Sequence, residues 1–418
     1  MTTRTPRICI GVSGHLSGCP RMVKAATALA EAGYEVHVVS TSHIPRLREY
    51  DASLGASQPW TWEAVEWGRD VNQLLWLRTA VAHRLARSAA TAVGPEHVPL
   101  NVAAAAYSRP HAQLVSRLRR VDADLYYGGA GGGIAAAAIA ARHRGVGYAI
   151  DVEDFHSAEN ASLVRARSRA ALANRIERDV LPGARFVTAG SAAIADAYQQ
   201  RHRVPVTAVC NTFPLPLRPP ALAPRNSGPL RLYWFSQTIG DGRGLEDVIR
   251  AIGASRLDAE LHLRGTSANG YVERLRLFAL SNAPRLKLYI HPPAPPHQMI
   301  DLCAGYDVGL AVEPGTSENN ALALSNKALT YVLAGLPLVI TDTPGHRPLI
   351  DTLRRAAIVY QPGDIAQLAG SLTHIATDGG WHSNARADAW QAALSRWHWE
   401  HHADRGTLLS SVAAALPC

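Results

Sequence analysis

The sequence predicts an α/β protein built from two Rossmann-like domains, and three observations carry that reading. The chain has 418 residues, too many for one ordinary core. Two separate stretches, Arg7 to Ser40 and Leu230 onward, each open an alternation of strand, glycine loop, helix and strand. Between them runs PLPLRPPALAPRNSGP, with Pro214, Pro216, Pro219, Pro220, Pro224 and Pro229, the composition of a linker. The expected division is 1–215, a linker over 216–229, and 230–395.

In the first stretch Ile8, Ile10 and Val12 make a strand, Pro20 suits a helix start, and Gly33 closes that helix before YEVHVVS. Gly11, Gly14 and Gly18 do not follow the GxGxxG spacing, and no acid follows the second strand. Both features count against a dinucleotide cofactor, and no cofactor is expected. Arg21 and Lys24 fall in the first helical turn, where cations oppose the macrodipole by roughly 0.3 to 1 kcal/mol each. Either an anion offsets them or they are solvated. Trp60, Trp62, Trp67 and Trp76 cluster next, with a helix expected from Ala64. Their faces suit a sugar ring or a quaternary ammonium group, or they pack a helical hairpin.

Asp124 to Tyr127 reads as a strand running into Gly128, Gly129, Gly131, Gly132 and Gly133, a backbone bare enough for close approach by a ligand or by a crossing element. The strand Gly145 to Asp151 then delivers Glu153, Asp154 and His156 to a C-terminal sheet edge, where open α/β sheets bind ligands. In the second stretch Ser236 to Glu246 reads as a ligand loop in which Gly240, Gly242 and Gly244 surround Arg243, whose planar fork suits a diphosphate. The HPPAPP run puts His291 and Pro292 in a rigid turn. From Glu313 to Asp342 come a polar loop, a helix opening at Ser325-Asn326-Lys327, a stop at Gly335 and the buried strand Leu338 to Thr341. A helix start with an adjacent lysine is a ready phosphate site.

Composition narrows the classes further. Hydrophobic residues make up 47% and aromatics 6%, with no apolar run of membrane-spanning length. The charged start MTTRTPRICIGV enters a strand directly, so a cytoplasmic protein without a transmembrane segment is expected. The net charge of +8 comes mainly from dispersed arginines, and without a basic stripe interleaved with aromatics no nucleic-acid partner is expected. Cys9, Cys19, Cys210, Cys303 and Cys418 show no CxxC spacing, so free thiols are expected, and neither disulfides nor a metal site. A homodimer is compatible with the chain.

With these residues in view, the chain resembles the retaining, two-domain glycosyltransferases of the family-4 type, which have the GT-B fold with an interdomain cleft. The likeness rests on CPRMVKAATALAEAGYEVHVV, on AIDVEDFHSAE, on Asn211-Thr212-Phe213-Pro214, and on Ser325-Asn326-Lys327 followed by Tyr331 and Ala334-Gly335-Leu336-Pro337. It implies transfer of a sugar from a nucleoside diphosphate sugar to a small-molecule acceptor, with a C-terminal helix over 396–418 returning to the first domain. Carried over residue by residue, it implies donor diphosphate contacts from Arg243, Lys327, Ser325, Asn326 and Gly14, and base contacts around His291 and Pro292. The donor sugar would meet Glu313, Glu318 and Asn320. Glu153, Asp154 and His156 would serve the reaction centre, and His15, Arg21, Trp60 and Trp62 the acceptor. Two glutamates of the family pattern are missing, since Leu322 and Thr330 stand where they belong. A catalytically decayed sugar-nucleotide-binding protein, or an O-glycosyltransferase of cell-surface polysaccharide synthesis, is therefore the alternative.

Overall fold

The computed structural model describes residues 4–158, 164–222 and 228–416. The chain forms two compact units, Met1–Cys210 with His402–Cys418, and Asn211–His401. Residues 223–227 of the expected linker and 417–418 of the expected terminal helix lie outside the described residues.

The first unit is a seven-stranded sheet: β1 (Arg7–Val12), β2 (Glu35–Ser42), β3 (Thr61–Glu66), β4 (Leu125–Gly129), β5 (Gly147–Val152), β6 (Val187–Ala189) and β7 (Thr207–Ala208). Their order is β3-β2-β1-β4-β5-β6-β7, and every pairing is parallel. The second unit holds β8 (Leu230–Ile239), β9 (Ala259–Ser267), β10 (Leu286–His291), β11 (Val308–Ala311), β12 (Leu338–Thr341) and β13 (Ala357–Tyr360). Its order, β10-β9-β8-β11-β12-β13, is again all parallel. Both sheets are doubly wound, so each has a switch point where the strand order reverses, between β1 and β4 and between β8 and β11.

Burial on both faces explains the unbroken apolar runs of the central strands. Ile8, Ile10 and Val12 are at most 1% exposed, as are Leu338, Val339 and Ile340, and burying each such side chain contributes about 1.5–3 kcal/mol. The Gly132–Arg144 helix is buried from Gly132 to Ala141, because small side chains let it lie directly on the sheet. Gly128 and Gly133 belong to that contact: a Cβ on Gly128 would press on Gly133 O and Ala137, and one on Gly133 on Gly11 O.

Several expectations need correction. Ala64 to Glu66 are not helical but the end of the edge strand β3, and the helix begins at Gln73. β8 runs through Ser236 to Ile239, with a register shift between Phe235 and Thr238, so the ligand loop is confined to Gly240–Gly244. Trp397 to Glu400 do not return to the first unit. Trp397 Nε1 donates to Thr352 Oγ1 at 2.7 Å, and Trp399 N to Phe213 O at 2.8 Å. Glu400 accepts from Leu215 N at 3.0 Å, which also ties the start of the proline-rich stretch to the second unit. Only from His402 does the chain join the first unit, where buried Asp404 accepts from Cys210 N at 2.7 Å. The terminal helix is Thr407–Ala415. Cys9, Cys19, Cys210 and Cys303 are buried free thiols; Cys418 lies outside the described residues.

Arg21, expected to meet an acceptor, is instead the central tie of the first unit. It is 5% exposed, bidentate to Asp151 at 2.7 Å on both arms, and donates to Val209 O at 2.5 Å. Asp151 also accepts from Thr188 Oγ1 at 2.6 Å, and the Thr188 hydroxyl meets that of Tyr127 at 2.8 Å. Burial opposes the Arg21 charge, yet Asp151 raises its pKa above the usual value, so the guanidinium stays charged. Removing one partner strands a buried charge. D151N or R21M alone is expected to cost about 3–5 kcal/mol in urea unfolding, and the R21M/D151L double variant to recover most of it; a single-variant loss below about 1 kcal/mol would mark the pair as peripheral.

Candidate functional site

At the switch point of the first unit, the exit of β1 faces the glycine run after β4. Ser13 Oγ donates to Ala130 O at 2.7 Å. Ala130 (φ 51°) and Gly131 (φ 58°) turn the backbone through left-handed space, a turn that is easy for glycine and strained for alanine. The turn opens a cavity of about 490 Å³, within the range of small-ligand sites. Its walls include Ser13, His43, Trp67, Arg109, Glu153, Asp154 and His156.

The carboxylate wall follows β5. Gly190 lets the chain pass under Glu153, whose carbonyl a Cβ there would strike. The Tyr198 hydroxyl lies 2.9 Å from Glu177 Oε1 and 3.1 Å from Asp154 O, and accepts from His156 N at 3.3 Å. One buried phenol thus holds the Asp154 to His156 turn. Burial pushes the Glu153 carboxyl up to about 7, with Asp154 and Asp151 adding to the rise and Arg21 opposing it. A carboxyl titrating there can exchange protons at neutral pH.

The aromatic wall differs from the expectation. Trp60 is buried, and its indole donates to Thr27 Oγ1 at 3.0 Å; Trp62 donates to Ser40 Oγ at 2.9 Å. Both pack the edge of the sheet, and neither lines the cavity. Trp67 does, carrying the His43 ring at 4.5 Å and the Arg109 guanidinium at 4.7 Å from its centroid. Arg109 is equally 4.7 Å from the Trp76 ring, so the cation–π position belongs to the protein itself. Burial, with His15 and Arg109 adding, lowers the His43 pKa.

The sequence placed Gly14 at the donor diphosphate and His15 at the acceptor; in the structure the His15 ring is engaged within the fold. His15 Nδ1 donates to Asp51 at 2.6 Å, while Nε2 accepts from His43 N at 3.1 Å and Ile44 N at 2.9 Å. Both ring nitrogens are engaged and the side chain is 5% exposed, which leaves nothing for an acceptor. Gly14 O accepts from Thr41 N at 3.0 Å. Lys24 has its pKa lowered to about 7 by burial and by Arg21.

In the second unit Arg243 sits between Gly242 (φ 73°) and Gly244 (φ 77°), at the exit of β8 beside its switch point. Gly244 is required twice over, since a Cβ there would collide with Val312 O after β11. The Leu245–Ser255 helix starts immediately after. Arg243 is half-buried and makes no hydrogen bond or ion pair among the described residues.

Lys327 and Glu313 do not stand open as the sequence suggested. Lys327 is ion-paired with Glu313 Oε1, which also accepts from Ser325 Oγ at 3.2 Å. The Lys327 ammonium lies 5.4 Å from the Trp234 ring. His346, with Nδ1 on Thr341 O at 3.0 Å, turns Nε2 toward Glu313 Oε2 at 4.0 Å. Burial works against the Glu313 charge, but Lys327 and His346 keep its pKa below the usual value. Because Ser325 gives its hydroxyl to Glu313, it does not cap the Asn326–Leu333 helix, whose first-turn N–H groups have no side-chain cap from it. Asn326 Oδ1 accepts from Asn211 Nδ2 at 3.3 Å.

The remaining expected contacts are divided. Asn320 Oδ1 accepts from Gly315 N at 2.8 Å and shapes the loop after β11, and Glu318 is exposed at the start of the short Glu318–Leu322 helix. His291 pairs with His262 at 3.0 Å, and Pro292 O accepts from Arg264 at 2.8 Å, at the edge strand β10. Sequence reading missed His43, Arg109 and Arg169 as cavity residues. In an arginine-rich chain nothing local distinguishes Arg109 from its neighbours.

No known family model matches this chain, and no curated protein sequence does. Solved structures do. HepE of Anabaena in complex with UDP aligns with a TM-score of 0.65 at 15% identity, covering 98% of each chain. Sucrose-phosphate synthase of Thermosynechococcus elongatus aligns with a TM-score of 0.67 at 15% identity, covering 99% of this chain and 100% of that one. A glycosyltransferase of Rickettsia africae aligns with 0.66 at 10% identity, covering 98% and 99%. The two units together have the GT-B fold.

The Glu153 shift sets a pH signature for stability. A carboxyl whose pKa is raised from 4.5 to about 7 by folding favours the native state while protonated, so stability falls as pH climbs from about 4.5 through 7. E153Q lacks that loss. In urea titrations the E153Q advantage over the parent chain is expected to grow by about 2 kcal/mol between pH 5 and pH 8; a constant difference would place the Glu153 pKa in the ordinary range.

Proposed function

We propose that the protein is a glycosyltransferase that moves a sugar from a nucleoside diphosphate sugar to a small-molecule acceptor. The observation that carries the reading is Arg243, held on a left-handed glycine pair at the second switch point without an acid partner among the described residues. A guanidinium so placed matches a diphosphate, and it lies at the sheet edge where doubly wound folds bind nucleotides. The HepE structure is that of a complex with UDP, which supports the reading.

In this reading Arg243 and the first turn of the Asn326–Leu333 helix stabilise the leaving diphosphate. Lys327 contributes on exchanging Glu313 for phosphate. The reaction proceeds with retention, the leaving phosphate oxygen taking the acceptor proton, and the cavity bounded by Glu153 and Arg109 receives the acceptor. Within this class the narrow candidate is S-glycosylation of ergothioneine from a GDP-octose, the lincosamide-type reaction of antibiotic biosynthesis.

Calorimetric titration with UDP and GDP tests the donor half. R243Q is expected to weaken the preferred nucleotide at least tenfold, and K327Q by less, because the parent lysine must first leave Glu313. Equal affinity of R243Q and the parent chain would remove the basis of the assignment. Incubation with UDP- and GDP-sugars and candidate thiols or alcohols then reads turnover; nucleotide binding with no product from any pair would favour the decayed binding protein.

A further inference from the structure

Two guanidiniums border the cavity of the first unit, Arg109 and Arg169. Arg109 is immobilised: Nε donates to Thr79 Oγ1 at 3.1 Å, Nη2 donates to Trp76 O, and its carbon lies 4.7 Å from both indole centroids. Arg169 lies over the Tyr107 ring at 4.0 Å, and its Nη1 donates to Tyr107 O at 3.2 Å. Neither has a carboxylate partner among the described residues, although Glu153 and Asp154 line the same cavity. Elsewhere Arg21 is paired with Asp151, Arg231 with Asp307 and Arg48 with Asp70, whereas Arg264, away from this cavity, donates only to the Tyr233 hydroxyl and to Pro292 O among the described residues.

Every hydrogen bond that Arg109 and Arg169 make within the described residues runs to a neutral hydroxyl or carbonyl. Those acceptors fix orientation without cancelling charge, and the Nη1 of Arg109 keeps its N–H groups unengaged among the described residues. Burial first, and Arg84 second, lowers the Arg109 pKa, as follows for a cation without a counter-ion. A ligand ammonium against Trp67 or Trp76 would meet this guanidinium at the ring face, which disfavours a cationic group there. A carboxylate or phosphate would complete the fork with charge-assisted hydrogen bonds.

We propose that the acceptor carries an anionic group, a carboxylate or a phosphate, and that Arg109 and Arg169 are the residues that bind it. This rests on the reading of the cavity as the acceptor site. The anion fixes one end of the acceptor at the arginines and leaves its nucleophilic end to the rest of the cavity. Arg109 and Arg169 are then specificity-determining residues that take no part in proton transfer.

The test uses the full chain and three probes of one shape, benzoate, phenyl phosphate and the neutral benzamide, titrated by calorimetry at constant ionic strength. Benzoate or phenyl phosphate is expected to bind at least tenfold more tightly than benzamide, and R109Q and R169Q each to weaken the anion at least fivefold. R109K, which keeps the charge and loses the fork, is expected to fall between. Tighter binding of phenyl phosphate assigns a phosphorylated acceptor, and tighter binding of benzoate a carboxylic acid. Should R109Q disturb the circular dichroism of the chain, exposed Arg169 decides through R169Q. Equal affinity for benzamide and both anions, or anion binding unchanged in both glutamine variants, overturns the proposal. Titration of the same samples with UDP and with GDP reports separately on the donor reading, so failure to bind either nucleotide with intact anion binding would unseat the glycosyltransferase assignment and leave the anion site standing.

Discussion

The buried pair of Arg21 and Asp151 is the constraint from which the first unit's site takes its shape. Arg21 comes from the helix after β1 and Asp151 from β5, and Val209 O near the end of the unit receives the third bond. Three distant stretches of chain are thereby brought into one register, and the backbone leaving Asp151 carries Glu153, Asp154 and His156 directly to the cavity. Arg21 opposes the rise in the Glu153 pKa but does not cancel it, because burial is the larger effect. A structural ion pair and a titratable carboxyl two residues apart are thus parts of one arrangement.

The second unit handles charge differently. Glu313 and Lys327 satisfy each other beneath the loop after β11, with His346 and Ser325 closing around them. Arg243 is left as an uncompensated cation, on a loop whose two left-handed glycines hold the backbone close to Val312. In the first unit the corresponding uncompensated cations are Arg109 and Arg169. Arg21 and Arg231, which tie separate elements together, have acidic partners, whereas the arginines that border the candidate sites have none among the described residues.

Much of the architecture was legible in the chain. Apolar runs such as LPLVIT and RICIGV announce strands buried on both faces, and Pro20, Gly33 and Gly335 mark helix ends where the structure has them. Arg243 could be picked out because glycines isolate it in sequence as they do in space. Other residues could not be read this way. Trp60 and Trp62 look like ligand platforms until Thr27 and Ser40 are seen to take their indole N–H groups, and His15 looks free until Asp51 and two backbone amides claim its ring.

The sequence by itself determined the two doubly wound units and the glycine loops at their strand exits, since hydrophobic period and glycine placement act over a few residues. Tertiary structure alone decided which charges are neutralised. Asp151 stands 130 positions from Arg21, and Trp76 and Thr79 reach Arg109 from a separate helix. Whether a cation meets a carboxylate or is left for a ligand depends on contacts that local pattern does not encode, and in this protein those contacts pair Arg21 and Arg231 with acids and leave Arg243, Arg109 and Arg169 without one among the described residues.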